Sequence, residues 1–305
     1  MSDLDSDVML DASDAKDRVE WMRIMDAIGE DSGYFQKVGG SHNAVFLDNS
    51  PTLLVTFDSH AAARHRPKNL PVGMALADEC DWSQLCILSE AGPWYRDPAV
   101  YAYFDRLVDE GFFEDFDRVL FYGAGPSGYA AAAFSVTAPG ARVLLLNPVA
   151  TLNPSLAGWE TRHRKQRRLD FSTRYGFAPD MIESAAEATV ICDPRQGLDA
   201  MHSALYAAAH VHRMEARLAG PDIEGTFARM GILNHLICSA MEGKLTPVRY
   251  GELWRNRRDD LSYLRLLQVA ASPRPAREIM VCRNVATRLN QGKFKKRLDD
   301  LLANA

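Results

Sequence analysis

The stretch "VLFYGAGPSGY", Val119–Tyr129, decides how the rest of the chain is read. It holds the spacing G-x-G-x-x-G at Gly123, Gly125 and Gly128, directly after a continuous apolar run. Such a stretch is either a phosphate-cradling turn that delivers a pyrophosphate to a helix N-terminus, or a sharp strand-to-helix turn that exposes a nucleophile. What surrounds it separates the two.

Outward from this stretch the chain shows short apolar runs at Ala44–Leu47, Leu53–Phe57, Leu85–Leu88, Val143–Leu146 and Thr189–Cys192, with a last strand expected near Val211–Leu218. Helical stretches separate the later ones, at Val100–Asp109, Tyr129–Val136 and Asp199–Ala209. Continuous apolar strands alternating with helices imply an α/β fold, a mainly parallel, doubly wound sheet covered on both faces. At the other end of the chain, Trp21, Ile24, Met25 and Ile28 fall at the spacing of one helical face within Lys16–Ile28. From about Pro247 the strands stop and three or four helices follow, one expected to open at Ser272-Pro273. The division expected is an acidic helical segment over 1–35, the sheet domain over 36–245 and a basic helical extension over 246–305.

Three strands and a helix are expected before Gly123, whereas the dinucleotide fingerprint normally follows the first strand of its unit. The acidic residue that would hold a ribose is also missing, because the next strand ends in Asn147. Strand order and flanks resemble instead the α/β-hydrolases over roughly Phe46–Gly243: "LLVTF" before an oxyanion-hole loop, a central elbow, and "TVICDP" ending in Asp193 where the triad acid stands. The resemblance implies that Gly123-Ala124-Gly125-Pro126-Ser127 occupies G-x-Ser-x-G, with Gly125 at the nucleophile position. A register slid by two restores a serine, Ser127, but sets Tyr129 where a small residue lets helix and strand approach.

The base is equally absent. The loop after the last strand reads "AGPDIEGT", with Glu224 and no histidine. His235 lies in an apolar helical run and His210 and His212 begin the last strand, which leaves His202, near the acid-bearing loop, as the histidine that completes a Ser127, Asp193, His202 set.

The segments "PTLLVTF", "WYRDPAVYAYFD" and "FYGAGPSGYAAAAFSV" also resemble a bacterial group commonly labelled phosphoadenosine phosphosulfate reductase. That chemistry is associated with an S-G-G-x-D-S phosphate loop and a late Glu-Cys-Gly-x-His, and the chain holds neither. Cys282 reads as the buried face of an amphipathic helix.

Two further clusters stand out. Arg162–Arg168 packs six basic side chains, Arg164 and Arg167 among them, into the region where hydrolases carry a cap, and such a cluster draws in anions. Trp94, Tyr95 and Arg96 follow the strand Leu85–Leu88, at the strand end where sites of open α/β sheets gather. A solvated helix face and a packed loop are the plain alternatives.

Composition sets the outer limits. With 47% hydrophobic residues in 305, the chain can bury one large core. It has no apolar run long enough to span a bilayer and its start, "MSDLDSDVMLD", is acidic, so neither membrane anchorage nor a secretory leader is expected and the cytoplasm is. Five scattered cysteines suggest neither a disulfide framework nor a zinc site, and no metal or cofactor is expected. Residues 1–35 hold ten acids against three bases, and 246–305 hold thirteen bases against six acids, so the two ends face each other or share a partner. The basic residues are interleaved with acids, unlike a nucleic-acid footprint.

The function expected is a hydrolase-like protein without a standard triad that binds a small molecule or a partner. The alternatives are a hydrolase or transferase rewired around Ser127, and a nucleotide-dependent enzyme of the reductase or dinucleotide-binding kind.

Overall fold

A computed structural model of the chain describes residues 10–90, 92 and 94–303. Eight strands form one sheet: β1 (Gly33–Val38), β2 (His42–Leu47), β3 (Thr52–Ser59), β4 (Ser83–Ser89), β5 (Arg118–Ala124), β6 (Arg142–Leu146), β7 (Glu187–Cys192) and β8 (Val211–Glu215). Their spatial order is β1-β2-β4-β3-β5-β6-β7-β8. The β1–β2 and β2–β4 pairs are antiparallel and every later pair is parallel. β1 escaped the sequence reading, so four strands precede the elbow, not three. Its residues are mostly half-buried, as befits a sheet edge, and its Gly33 follows the first helix without a turn signal.

Alternation along the strands sorts the core into two layers. Val55, Phe57, Leu85, Ile87, Phe121, Val143, Leu145 and Val190 face one side, where the helices Pro98–Asp109 and Gly125–Phe134 cover them. Leu54, Leu120, Tyr122, Leu144, Leu146 and Ile191 face the other. That second face receives the C-terminal helices, through Tyr250, Trp254, Leu264, Cys282, Val285 and Phe294. Val45, Leu47, Cys86 and Leu88 continue it toward β2 and β4, and there Trp21, Met25 and Ile28 of the helix Arg18–Ser32 dock.

The helix Arg18–Ser32 and the C-terminal helices therefore rest on one face of the sheet, at its opposite sides. Among the described residues no ion pair joins 10–35 to 246–303: Arg18 pairs with Glu90, whereas Arg229 holds Asp260 and Arg297 holds Glu278. Two boundaries differ from expectation. The last strand stops at Glu215, ahead of a turn in which Leu218 takes φ +69°, and the long C-terminal helix opens at Pro275 with Arg274 as its cap. Among the described residues no helix is long and apolar enough to cross a membrane.

Candidate functional site

β5 passes into the helix Gly125–Phe134 with no intervening loop, and the turn falls on Gly125, whose φ is +56°. Only glycine takes that left-handed conformation freely. A Cβ at Gly125 would meet nothing within 4 Å, so the elbow points into open space. The flanking glycines do a different job. A Cβ on Gly123 would overlap the Ser127 carbonyl and lie 2.8 Å from Gly128 N, and one on Gly128 would lie 3.1 Å from Gly123 O and 3.2 Å from Pro148. The fingerprint spacing is thus accounted for by helix-on-strand contact and one sharp turn. The amide of Asn147, standing where a ribose-binding acid would, instead ties the β7 and β8 loops together by donating to Gly220 O and Pro221 O and accepting from Asp193 N.

The residue after the elbow is Pro126. In a nucleophile elbow this position supplies one oxyanion-hole N–H, and proline has none. The register made this legible in the sequence, where it was missed. Ser127 is half-buried in the first helical turn, its hydroxyl beside that of Tyr95, which donates to Asp58 O at 2.6 Å.

Asp193 directly follows β7 and is fully buried, at the triad-acid position. Its carboxylate accepts from Arg195 N at 3.0 Å and Gly220 N at 2.9 Å, the second bond coming from the loop that would carry the base. Glu224 follows in the helix Ile223–Arg229 and accepts from Tyr122 Oη at 2.5 Å. Its other oxygen pairs with Arg66 Nη2 at 2.9 Å, while Arg66 Nε reaches Asp58, at the end of β3, at 2.8 Å. Burial pushes the Asp58 carboxyl up, against the pull of Arg66, and pushes the Tyr122 phenol far above its usual range. Arg66 and Tyr122 were not foreseen, since Arg66 and Glu224 stand 158 residues apart and no local spacing marks them.

Ser127, Asp193 and His202 are not brought together as a triad. His202 is fully buried on the helix Gly197–Leu205, where its Nδ1 accepts from Ala150 N at 3.2 Å and its Nε2 therefore donates to Glu160 at 3.1 Å. Burial lowers its pKa to about 4, with Glu160 opposing. Both ring nitrogens are occupied by neighbours other than a nucleophile. His210 Nε2 contacts Ile182 O, and His212 faces Glu187.

The basic run splits three ways. Arg162 pairs with Glu160 and Asp199, Arg167 donates to the carbonyls of Ala157, Gly158 and Glu160, and Arg164 is exposed. Arg96 is likewise engaged, its Nε and Nη1 donating to Asp170 O and Arg174 O and its guanidinium lying 5.0 Å above the Tyr101 ring. These bonds fasten the segment above the sheet, although the buried Nη2 of Arg96 keeps no hydrogen-bond partner. Trp94, Tyr95 and Arg96 do line a cavity of about 490 Å³, shared with Lys165 and Arg168. Among the described residues no group of three or more His, Cys, Asp or Glu is placed to hold a metal ion.

No protein-family model and no curated protein sequence matches the chain. Among solved structures it is similar to the capsule O-acetyltransferase of Neisseria meningitidis serogroup A, at 12% identity and TM-score 0.46 over 68% of this chain and 94% of that one. It is also similar to an acetyl ester-xyloside bifunctional hydrolase from Caldicellulosiruptor lactoaceticus (12%, 0.45, 67% and 89%) and to the esterase domain of a Rhodothermus marinus protein (11%, 0.43, 66% and 98%). Likeness at this level leaves the assignment to the strand order, the elbow at Gly125 and the acid at the end of β7. On those features the chain has a fold of α/β-hydrolase type, and the sulfonucleotide reductase label is unsupported.

Proposed function

We propose that this protein is an α/β-hydrolase-like binding protein that performs no acyl-transfer chemistry at its elbow. The observation that carries this is the elbow itself: Gly125, at φ +56° with open space over it, holds the nucleophile position and Pro126 follows. A covalent mechanism needs an attacking atom, a base within hydrogen-bond reach and donors for the developing oxyanion. Gly125 offers no attacking atom, Pro126 no N–H, and the β8 loop no imidazole. What it binds is a small molecule or a partner.

The test is incubation with a fluorophosphonate probe and with p-nitrophenyl acetate. Neither labelling nor turnover above background is expected. Hydrolysis that Ser127→Ala abolishes, with urea unfolding unchanged, would refute the proposal. A rewired hydrolase or transferase is the second reading, favoured by the half-buried Ser127 hydroxyl in the first turn of the elbow helix. Its neighbour Tyr95 is a poor base, because burial holds that phenol protonated.

A further inference from the structure

The cavity of about 490 Å³ lies over the C-terminal end of β4, between the loop after that strand and the segment 165–169. Its size suits a small organic molecule. It is separate from the elbow, for none of Gly125, Ser127, Asp193 and Glu224 lines it. Tyr95 stands between the two places, with its ring in the cavity wall and its hydroxyl beside Ser127.

The cavity pairs positive charge with aromatic side chains. Arg162 and Arg167 of the basic run are taken by Glu160, Asp199 and main-chain carbonyls. Lys165 and Arg168, which line the cavity, are exposed and have no ion pair or hydrogen bond among the described residues. Asp97 is the single acid in the lining, and it is engaged, capping a helix through Ala99 N at 2.9 Å and facing His42 Nδ1 at 3.8 Å. Trp94, Tyr95 and Leu169 are the apolar side chains of the lining, and Arg96 adds a buried Nη2 without a hydrogen-bond partner. Two unpaired cations, a buried arginine donor without a partner and aromatic side chains in one lining match a ligand with an apolar ring system and one anionic group.

We infer that the cavity between the loop after β4 and the segment 165–169 binds a small organic anion, with Lys165 and Arg168 receiving its carboxylate, sulfonate or phosphate and Trp94 and Tyr95 packing its apolar body. This deepens the proposed binding role and rests on it.

The experiment is a fluorescence titration of the full chain with 8-anilinonaphthalene-1-sulfonate, alongside the neutral N-phenyl-1-naphthylamine. The sulfonate should bind one saturable site, and Lys165→Ala/Arg168→Ala should weaken it about tenfold and flatten its salt dependence, with the neutral probe unaffected. Both residues are exposed and unpaired, so the fold should survive their removal. Absence of saturable sulfonate binding, or binding as tight in the double variant as in the natural chain, overturns the assignment. A parallel p-nitrophenyl acetate assay separates the two proposals. Turnover abolished by Ser127→Ala refutes the non-catalytic reading and, with charge-sensitive binding retained, leaves the cavity as that enzyme's anion site. Loss of charge sensitivity overturns the cavity assignment whether or not turnover is seen.

Discussion

Gly125→Ser and Gly123→Ala test the elbow from both sides. At Gly125 a side chain meets open space, so the only penalty is the left-handed backbone at φ +56°, about 1–2 kcal/mol for an L-residue. Removing a glycine also restricts the unfolded chain, which returns about 0.4–1 kcal/mol and leaves a net loss near 1 kcal/mol. At Gly123 the added methyl would overlap the Ser127 carbonyl and sit 2.8 Å from Gly128 N. Those are backbone atoms of the elbow helix, which itself packs on the aromatic core at Phe134, so relief means moving the helix off β5. The expected loss is about 3 kcal/mol or more. Urea unfolding followed by tryptophan fluorescence reads both. Gly125→Ser should still fail to react with a fluorophosphonate, because a missing oxyanion donor alone costs about 10²–10³ in rate and a missing base about 10²–10⁴. If Gly123→Ala proves as mild as Gly125→Ser, or if Gly125→Ser labels as fast as a competent serine hydrolase, the register and the reasoning built on it fail.

Acid should weaken the fold in a defined window. Burial lowers the pKa values of His60 and His202 to about 4, so between pH 6.5 and 4 the unfolded chain binds protons the native state refuses. Stability present above pH 6.5 is lost as pH falls toward 4, by about 3 kcal/mol between pH 7 and 5 for the pair, and equal urea midpoints at pH 7 and 5 would contradict this. Arg66→Ala should cost about 2 kcal/mol at pH 7 by stranding the buried Asp58 carboxylate, and less at pH 4, where Asp58 takes up a proton; the same loss at both pH values would count against the bridge. Deleting 246–305 removes Trp254 from Phe227, 5.6 Å away, and should give a protein that aggregates on size exclusion; a soluble truncation that unfolds cooperatively would show the extension to be independent.

The legible parts were those in which one short window holds the whole cause. The inner strands read as unbroken apolar runs because both of their faces are buried, and the elbow reads because turn, contact and helix start lie within Gly123–Gly128. β1 was not legible, since "GYFQKV" is half-buried on both faces and follows a helix directly. The basic run was visible as charge, but its division was not. Whether an arginine meets Asp199, a carbonyl or a cavity depends on which way a loop turns, and spacing does not fix that. His202 looked available because it stands near Asp199 in sequence, yet the helix points it at Ala150 N and Glu160.

The fingerprint glycines and the departures from a standard triad have separate causes. Gly123 and Gly128 are required wherever this helix rides so closely on β5 and Pro148, whatever the protein does, so their presence argues for the fold and says nothing of catalysis. Around the elbow the side chains present satisfy one another. Asp193 takes Gly220 N in place of an imidazole, and Glu224 takes Tyr122 and Arg66, which in turn neutralises Asp58. A histidine placed in the β8 loop would have to compete with these contacts as well as find a nucleophile. Because parts of a catalytic unit act together, restoring any one of them gains little while the others are missing. Side chains free to meet a ligand lie elsewhere, in the cavity beside β4, where Lys165 and Arg168 have no ion pair or hydrogen bond among the described residues and the buried Nη2 of Arg96 has no partner, and a buried donor without a partner is a better guide to what a protein meets than a motif whose glycines are explained by packing.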